Sequence, residues 1–462
     1  MNTNINPPAA AQVTRKTIRL EAEYGILNGT SVARTRAGYS GKGYVTGFDA
    51  DGDKVTLTFP AQAGLYTVRL RYCSPDAEKG YDLIVNGFRF SGKFSPTRAA
   101  FAVHSAGKVG LKAGVNTLII EKGWGYYDLD SIELAPVVGA PNLRKPPRKL
   151  ADPRATPQAR ALFSFLLSQY GSKTLSGQYG KEEGEYVHSV SGKRPAIVGA
   201  DFMEYSPSRR AFGSDGKNET EKAIQNAKDG CIITMSWHWN APKDLLNKTY
   251  TGKDGKTVDA RWYKGFYTNA TTFDLQKALA DPKSEDYRLI LRDIDAIAVE
   301  LKKFAHANVP VLWRPLHEAE GGWFWWGARG PQACIRLWHL MYDRLTNHHN
   351  LHNLIWVYSS GTKPEWYPGD ASVDIVGIDA YPPDNGDPLS ETWDTLLRRL
   401  DGKKLLALTE FGGVPDTEKM FRYGVRWSYF VTWSGRAKKS PKPEVASRYR
   451  QKTVMNRGDV HF

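Results

Sequence analysis

Three cysteines in 462 residues are too few to staple a fold with disulfides, and Cys73, Cys231 and Cys334 are too scattered to fit a zinc motif. Cys231 opens an apolar strand candidate, where a free buried thiol is expected. No apolar run approaches the ~18 residues of a membrane-spanning helix, so the chain reads as soluble and a membrane is not expected among its partners. Nor does a nucleic-acid-binding signature accompany the formal net charge of +14. The basic residues are dispersed, with local clusters only near 144–149 and 436–442, and nucleic acid is not expected as a partner. A signal peptide is missing as well. Met1 to Gln12 is polar and rich in Pro and Ala, so the sequence reads as a mature form behind an initiator Met. Four N-x-S/T sequons, at Asn28, Asn218, Asn247 and Asn269, suit a secreted, extracellular glycoprotein of eukaryotic type.

Aromatic residues are the excess, with 14 Trp and 23 Tyr. Most belong in cores, but flat rings are also what a protein needs to stack on the apolar faces of sugars. The length exceeds that of a usual single core and predicts two domains. Residues 16–136 contain short alternating segments such as KVTLTF, LYTVRLRY and NTLIIEKG between Gly, Asp and Asn turns, which predicts an all-β sandwich of jelly-roll type. Residues 137–153 carry Pro141, Pro146, Pro147 and Pro153 among basic residues and read as a semi-rigid linker.

From residue 154 to 462 the texture changes to apolar strands alternating with amphipathic helices. The strand candidates are TLSGQY, PAIVGADF, CIITMSWHW, VPVLWRP, NLIWVYS, VDIVGIDAY, LLALTEF and YFVTWSG. Eight such strands in about 300 residues predict an α/β fold of the (β/α)8 TIM-barrel type, whose site lies at the carboxyl ends of the strands. Polar and aromatic residues gather at those ends: Trp237 and His238 on the third strand, Arg314, His317 and Glu318 on the fourth, Asp379 and Tyr381 on the sixth, Glu410 on the seventh and Trp433 on the eighth.

Glycosidic bond cleavage needs two carboxyl groups flanking one anomeric carbon, about 5 to 5.5 Å apart where configuration is retained. The fourth and seventh strands lie across the barrel mouth and supply Glu318, in WRPLHE, and Glu410, in LALTEF. With Arg314, Pro315, His317, Glu318 and Trp323 in order, the barrel resembles glycoside hydrolase family 26. The likeness extends to Ser236-Trp237-His238, to Gly377-x-Asp379-x-Tyr381, to Glu410 and to Trp433. It implies a retaining endo-β-1,4-mannanase that hydrolyses mannan or galactomannan by double displacement, with Glu318 as acid/base, Glu410 as nucleophile and no cofactor for catalysis. Family members acting on mixed-linkage β-glucan or xylan would keep both glutamates. A non-catalytic carbohydrate-binding protein is the reading from another class. His238, Arg314, His317, Trp323, Tyr381 and Trp433 are the expected substrate-binding residues. Trp325 and Trp326 either extend the cleft or pack beneath a loop, and the insertion from Asn240 to Phe273 is where an exo enzyme would close one end.

The N-terminal stretch, with its LEAEYG opening, GYSGKGYVTGFD, AGLYTVRLRY and YYDLDSIEL, resembles carbohydrate-binding module family 35. The aromatic-rich stretch expected before its last strands is here FAVHSAGKVGL. Glu21 and Glu23, on one side of an extended strand, offer two hard oxygens to a structural Ca²⁺, with Asp130 as a third. Trp124 is the expected ligand-stacking residue, joined by Tyr39 and Asp128. The expected partner is β-mannan or a related plant polysaccharide, and the expected state a monomer.

Overall fold

A computed structural model describes residues 15–139 and 143–462. Met1 to Gln12 and Pro141 lie outside the described residues. The chain divides into an N-terminal and a C-terminal compact unit.

The N-terminal unit is a sandwich of two antiparallel sheets. One sheet runs in the order Ser31–Ala33, Tyr44–Thr46, Asp128–Pro136, Gly64–Cys73 and Ala102–Leu111, with Ile18–Glu21 also paired to Asp128–Pro136. The other runs Ile26–Asn28, Lys54–Ala61, Gly114–Trp124, Lys79–Val85 and Phe88–Phe94. Alternation sets which face is buried. Val55, Leu57 and Phe59 point inward from one sheet and Tyr66, Val68, Leu70 and Tyr72 from the other, and all seven share one core. Each such apolar side chain contributes ~1.5–3 kcal/mol by leaving water. The extended reading of Glu21 and Glu23 needs correction. Glu21 ends its strand, and Ala22–Tyr24 turns into a short 3₁₀ helix that carries Glu23.

The C-terminal unit is a closed parallel barrel of eight strands. They are β1 (Gly177–Tyr179), β2 (Ile197–Asp201), β3 (Ile232–Ser236), β4 (Val311–Arg314), β5 (Leu354–Tyr358), β6 (Ile375–Ala380), β7 (Leu405–Phe411) and β8 (Phe430–Thr432). All eight fall within the segments predicted from sequence. Burial on both faces explains their near-continuous apolar runs, and every residue of β7 is buried. The helix Glu285–His306 begins where the Ser284 hydroxyl accepts from the Tyr287 N–H, and it buries Ile290, Ile294, Ile297, Leu301 and Phe304 along one face.

Two local differences matter. Thr174–Leu175, read as the start of the first barrel strand, pairs instead with Val454–Met455 outside the barrel. The insertion after β3 contains a hairpin, Lys248–Thr251 with Thr257–Ala260, that its polar sequence did not announce. The Pro-rich run is fastened to the barrel unit beyond residue 142. Asp401 accepts from the Arg144 backbone N–H at 2.9 Å and from its guanidinium at 2.7 Å, the Ala151 N–H donates to Asp374 at 2.6 Å, and Leu150 is buried. Arg144 and the Ala151 backbone thus strap this run, read from sequence as a semi-rigid linker, along the barrel.

Candidate active site

After Arg314-Pro315 at the end of β4, the chain turns sharply. Leu316 and Glu318 have φ of 51° and 53°, a left-handed region that costs residues with a Cβ about 1 kcal/mol or more. Long-range bonds hold the turn. The Glu318 N–H donates to the Ser359 carbonyl at 2.7 Å, and the Trp326 indole N–H donates to the His317 carbonyl at 2.9 Å. Trp325 and Trp326 are fully buried, so of their two expected roles the structure assigns packing beneath the loop.

The turn aims Glu318 into the barrel mouth, where oxygens of Glu318, Asp379 and Glu410 all lie within 4.8 Å of one another. Arg314 is completely buried among them. Its guanidinium donates to Glu410, to Asp379 at 2.9 Å, to Ser359 Oγ at 3.1 Å and to the Tyr179 hydroxyl at 3.0 Å. Tyr381 donates to the other Glu410 oxygen at 2.6 Å. Glu318 has a different partner, the indole N–H of Trp323 at 2.9 Å. These bonds bear on metal binding: Asp379 also accepts from Thr409 and Ser359, so a cation would have to displace Arg314 from carboxylates already satisfied.

Three carboxyl groups around one guanidinium cannot all ionise readily. Burial, then the charge on Asp379, pushes Glu318 up to about 7. Burial pushes Glu410 up to about 7 as well, with Asp379 and Glu318 adding to it, while Arg314 and Tyr381 pull it down, so the two groups are separated by their partners and not by burial. Since Glu410 holds the guanidinium and the phenol directly, and Glu318 holds only an indole, the first proton settles on Glu318. Burial, the cation of Arg314 and then His238 hold His317 far below its ordinary value, so its imidazole is neutral.

His317 meets His238 through their Nε2 atoms at 3.2 Å, and His238 Nδ1 lies 2.7 Å from Asp201 at the end of β2. Trp433 packs against Tyr179 at 4.6 Å and His238 at 5.8 Å between ring centroids. Trp323 and Tyr381 stand at the rim, 48% and 42% exposed. A cleft of about 680 Å³ runs from Tyr179, His238 and Trp433 out to Glu182, Lys222 and Asn226. The eight barrel residues read as site candidates are therefore brought to one end of the barrel. Sequence reasoning noted Asp379 at the end of the sixth strand without giving it a role, and it did not single out Asp201, Tyr179 or Ser359. Asp201 and Tyr179 could have been found by the rule already in use, since each sits at the carboxyl end of a strand.

In the N-terminal unit the picture is mixed. Glu21 accepts from the Ser40 hydroxyl at 2.6 Å, Glu23 from the Lys42 N–H at 2.6 Å, and Asp130 from the Ser40 N–H and hydroxyl at 2.8 Å. The loop approaches so closely that a Cβ on Gly41 would lie 2.2 Å from a Glu23 oxygen. Asp130 is also paired with Arg71. Among the described residues, oxygens of these three carboxylates do not all converge within 4.8 Å. One Glu23 oxygen is buried without a hydrogen-bond partner, an acceptor that a cation would satisfy. Asp128 departs from expectation. It is buried, with Arg36 at 2.9 Å and the Thr46 hydroxyl at 2.6 Å, so its carboxylate is spent inside the fold. Tyr39 is half-buried beside Tyr44. Trp124 is exposed at the end of the other sheet, and its indole covers Gly80 so closely that a Cβ there would clash at 2.3 Å.

Residues 151–459 match the glycosyl hydrolase family 26 profile, two thirds of the chain, and residues 18–137 match carbohydrate binding module (family 35). The chain belongs to glycosyl hydrolase family 26. Among family relatives, a mannan endo-1,4-beta-mannosidase of Thermothelomyces thermophilus is 44% identical over 92% of this chain and 86% of its own length. Mannan endo-1,4-beta-mannosidase A of a Piromyces species is 33% identical over 97% and 73%. Of solved structures, a Podospora anserina GH26-CBM35 β-(1,4)-mannanase superposes with a TM-score of 0.68 at 40% identity, covering 96% of this chain and 98% of that one. A ruminal GH26 endo-β-1,4-mannanase gives 0.70 at 28% identity, covering 97% and 99%. For a family 26 glycoside hydrolase, the two carboxyl groups at the ends of β4 and β7 are where hydrolytic chemistry is to be sought.

Proposed function

We propose that this chain is a secreted endo-β-1,4-mannanase that cleaves mannan and galactomannan backbones with retention of configuration. The observation that carries the mechanism is the pair Glu318 and Glu410, close together yet held by different partners. Protonated Glu318 donates its proton to the glycosidic oxygen as Glu410 attacks the anomeric carbon, the bond to the leaving sugar breaks, and a covalent glycosyl-enzyme forms. Glu318, now a carboxylate, takes a proton from water. That water attacks the same carbon and releases Glu410. Arg314 and Tyr381 keep Glu410 ionised for attack.

The mannan assignment draws on the activities named for the relatives. All four sequon asparagines are exposed, which supports a glycosylated, extracellular protein. The N-terminal unit serves as a carbohydrate-binding module with Trp124 as its stacking residue. Glu23, through its unpartnered oxygen, and Glu21 would hold a Ca²⁺ there, with Asp130 joining them only on exchanging Arg71 for the cation. Proton NMR of fresh products from mannan, β-glucan and xylan tests the reading. Initial accumulation of the β-anomer from mannan is expected. The α-anomer would overturn retention, and activity confined to glucan or xylan would overturn the substrate.

A further inference from the structure

We propose that Glu320 is a positioning residue for the reaction: it clamps the loop after β4 to the loop after β5 and so fixes the acid/base Glu318 against the scissile bond. The inference rests on the acid/base reading of Glu318 and goes beyond it. Glu320 lies on the short 3₁₀ turn Ala319–Gly321, two residues past Glu318, and its side chain is only 17% exposed. A carboxylate drawn that far out of water is costly unless it accepts hydrogen bonds.

Those bonds come from the segment that follows β5. The Lys363 backbone N–H donates to Glu320 Oε2 at 3.1 Å, and the Glu320 N–H donates to the Ser360 hydroxyl at 2.8 Å. The Lys363 ammonium is 3.7 Å from the other oxygen and half-exposed, so ion pairing adds little and the backbone bonds set the geometry. Gly361 shows how near the two loops come. Its φ is 121°, a value that favours glycine, and a Cβ there would lie 2.1 Å from Glu320 Oε2.

The segment that Glu320 grips also organises the reaction centre. Ser359 takes the Glu318 N–H on its carbonyl at 2.7 Å, while its hydroxyl accepts from Arg314 at 3.1 Å and donates to Asp379 at 3.2 Å. Glu318 keeps its φ of 53° only because its surroundings impose it. Trp323 steadies the carboxyl group, and the Glu320 clamp steadies the backbone that carries it. A proton donor displaced by about 1 Å no longer meets the glycosidic oxygen. Loss of the clamp therefore costs acid assistance, while Glu410, held by Arg314 and Tyr381, keeps its place.

The test compares full-length Glu320→Ala, Glu320→Gln and Gly361→Ala with the wild type and with Glu318→Ala. Two substrates are used: the β-linked polysaccharide that the wild type hydrolyses, and an activated aryl glycoside of the same sugar. Glu320→Ala and Gly361→Ala are expected to lose about tenfold in kcat/KM on the polysaccharide, whose leaving alkoxide needs the proton, and less than about twofold on the aryl substrate. Glu320→Gln, whose amide oxygen still accepts from the Lys363 N–H, should restore most of the loss. The basic limb of the profile should move to lower pH in Glu320→Ala. Burial is the largest cause holding Glu318 at about 7, and a loosened loop hydrates it while Asp379, Arg314, Glu410, Tyr267 and Tyr381 around it are unchanged. Equal losses on both substrates would make Glu320 a structural residue only and overturn the proposal, as would wild-type kinetics in Glu320→Ala. Glu318→Ala distinguishes that failure from a deeper one: if this control also loses equally on both substrates, the acid/base assignment falls and the proposal with it.

Discussion

The Tyr381 hydroxyl donates to Glu410 at 2.6 Å from the residue just past the end of β6, the strand beside the one that carries the carboxylate. The phenol stabilises the ionised form of Glu410, and the negative charge in turn raises the pKa of Tyr381, with burial the larger cause. Tyr381→Phe removes the donor and leaves the ring. Glu410 should then titrate at higher pH, so the acidic limb of the kcat/KM profile should move upward, and kcat should fall about 10- to 100-fold. A pH series on soluble mannan measures both.

The basic limb belongs to Glu318, which must be protonated to assist departure. Burial and Asp379 put it at about 7, so activity should decline as pH rises through that value. The Trp323 indole N–H pulls this value down by favouring the carboxylate. Trp323→Phe should therefore shift the basic limb to higher pH while KM rises through loss of a rim contact. An unchanged limb would show that the indole bond is not made in solution.

The barrel was legible because its strands are apolar on both faces and end in residues a core would reject, as WRPLHE and LALTEF do. What was not legible depends on partners distant in sequence. Nothing local forces Leu316 and Glu318 into the left-handed region, since neither is Gly. The Ser359 carbonyl and the Trp326 indole impose it. Asp128 was expected beside Trp124 as a ligand contact of the module, but Arg36, 92 residues earlier, claims its carboxylate. Glu23 looked extended because the 3₁₀ turn that carries it has no Pro or Gly within it to mark its start.

Calcium removal should distinguish the two units. A ligand bound only by the folded state adds stability by mass action, about 2.7 kcal/mol at 100 times Kd. Chelation should lower the Tm of the N-terminal unit, and Glu23→Gln should abolish that dependence. Hydrolysis of soluble mannan should persist throughout, because Glu318 and Glu410 lie in the other unit. Calorimetry of the full chain with and without chelator checks the first claim, and a reducing-sugar assay the second.

The two glutamates should fail differently, because one makes a bond to carbon and the other only moves protons. Glu410→Ala removes the nucleophile, so turnover should collapse by about 10⁴-fold or more for every substrate, however good its leaving group. In Glu318→Ala the loss should depend on the leaving group. A sugar alkoxide needs the proton, and cleavage of mannan should nearly cease. An activated aryl mannoside departs without help, so its glycosylation step should survive. The glycosyl-enzyme then accumulates, since no base remains to activate water. Azide is a nucleophile that needs no base. It fits the space left by the missing carboxyl group, attacks the intermediate from the face opposite Glu410, and should release the β-glycosyl azide. From Glu410→Ala, direct attack by azide would instead give the α-azide. NMR of the azide product from each variant reads the assignment directly: a β-azide from Glu410→Ala and none from Glu318→Ala would reverse the two roles.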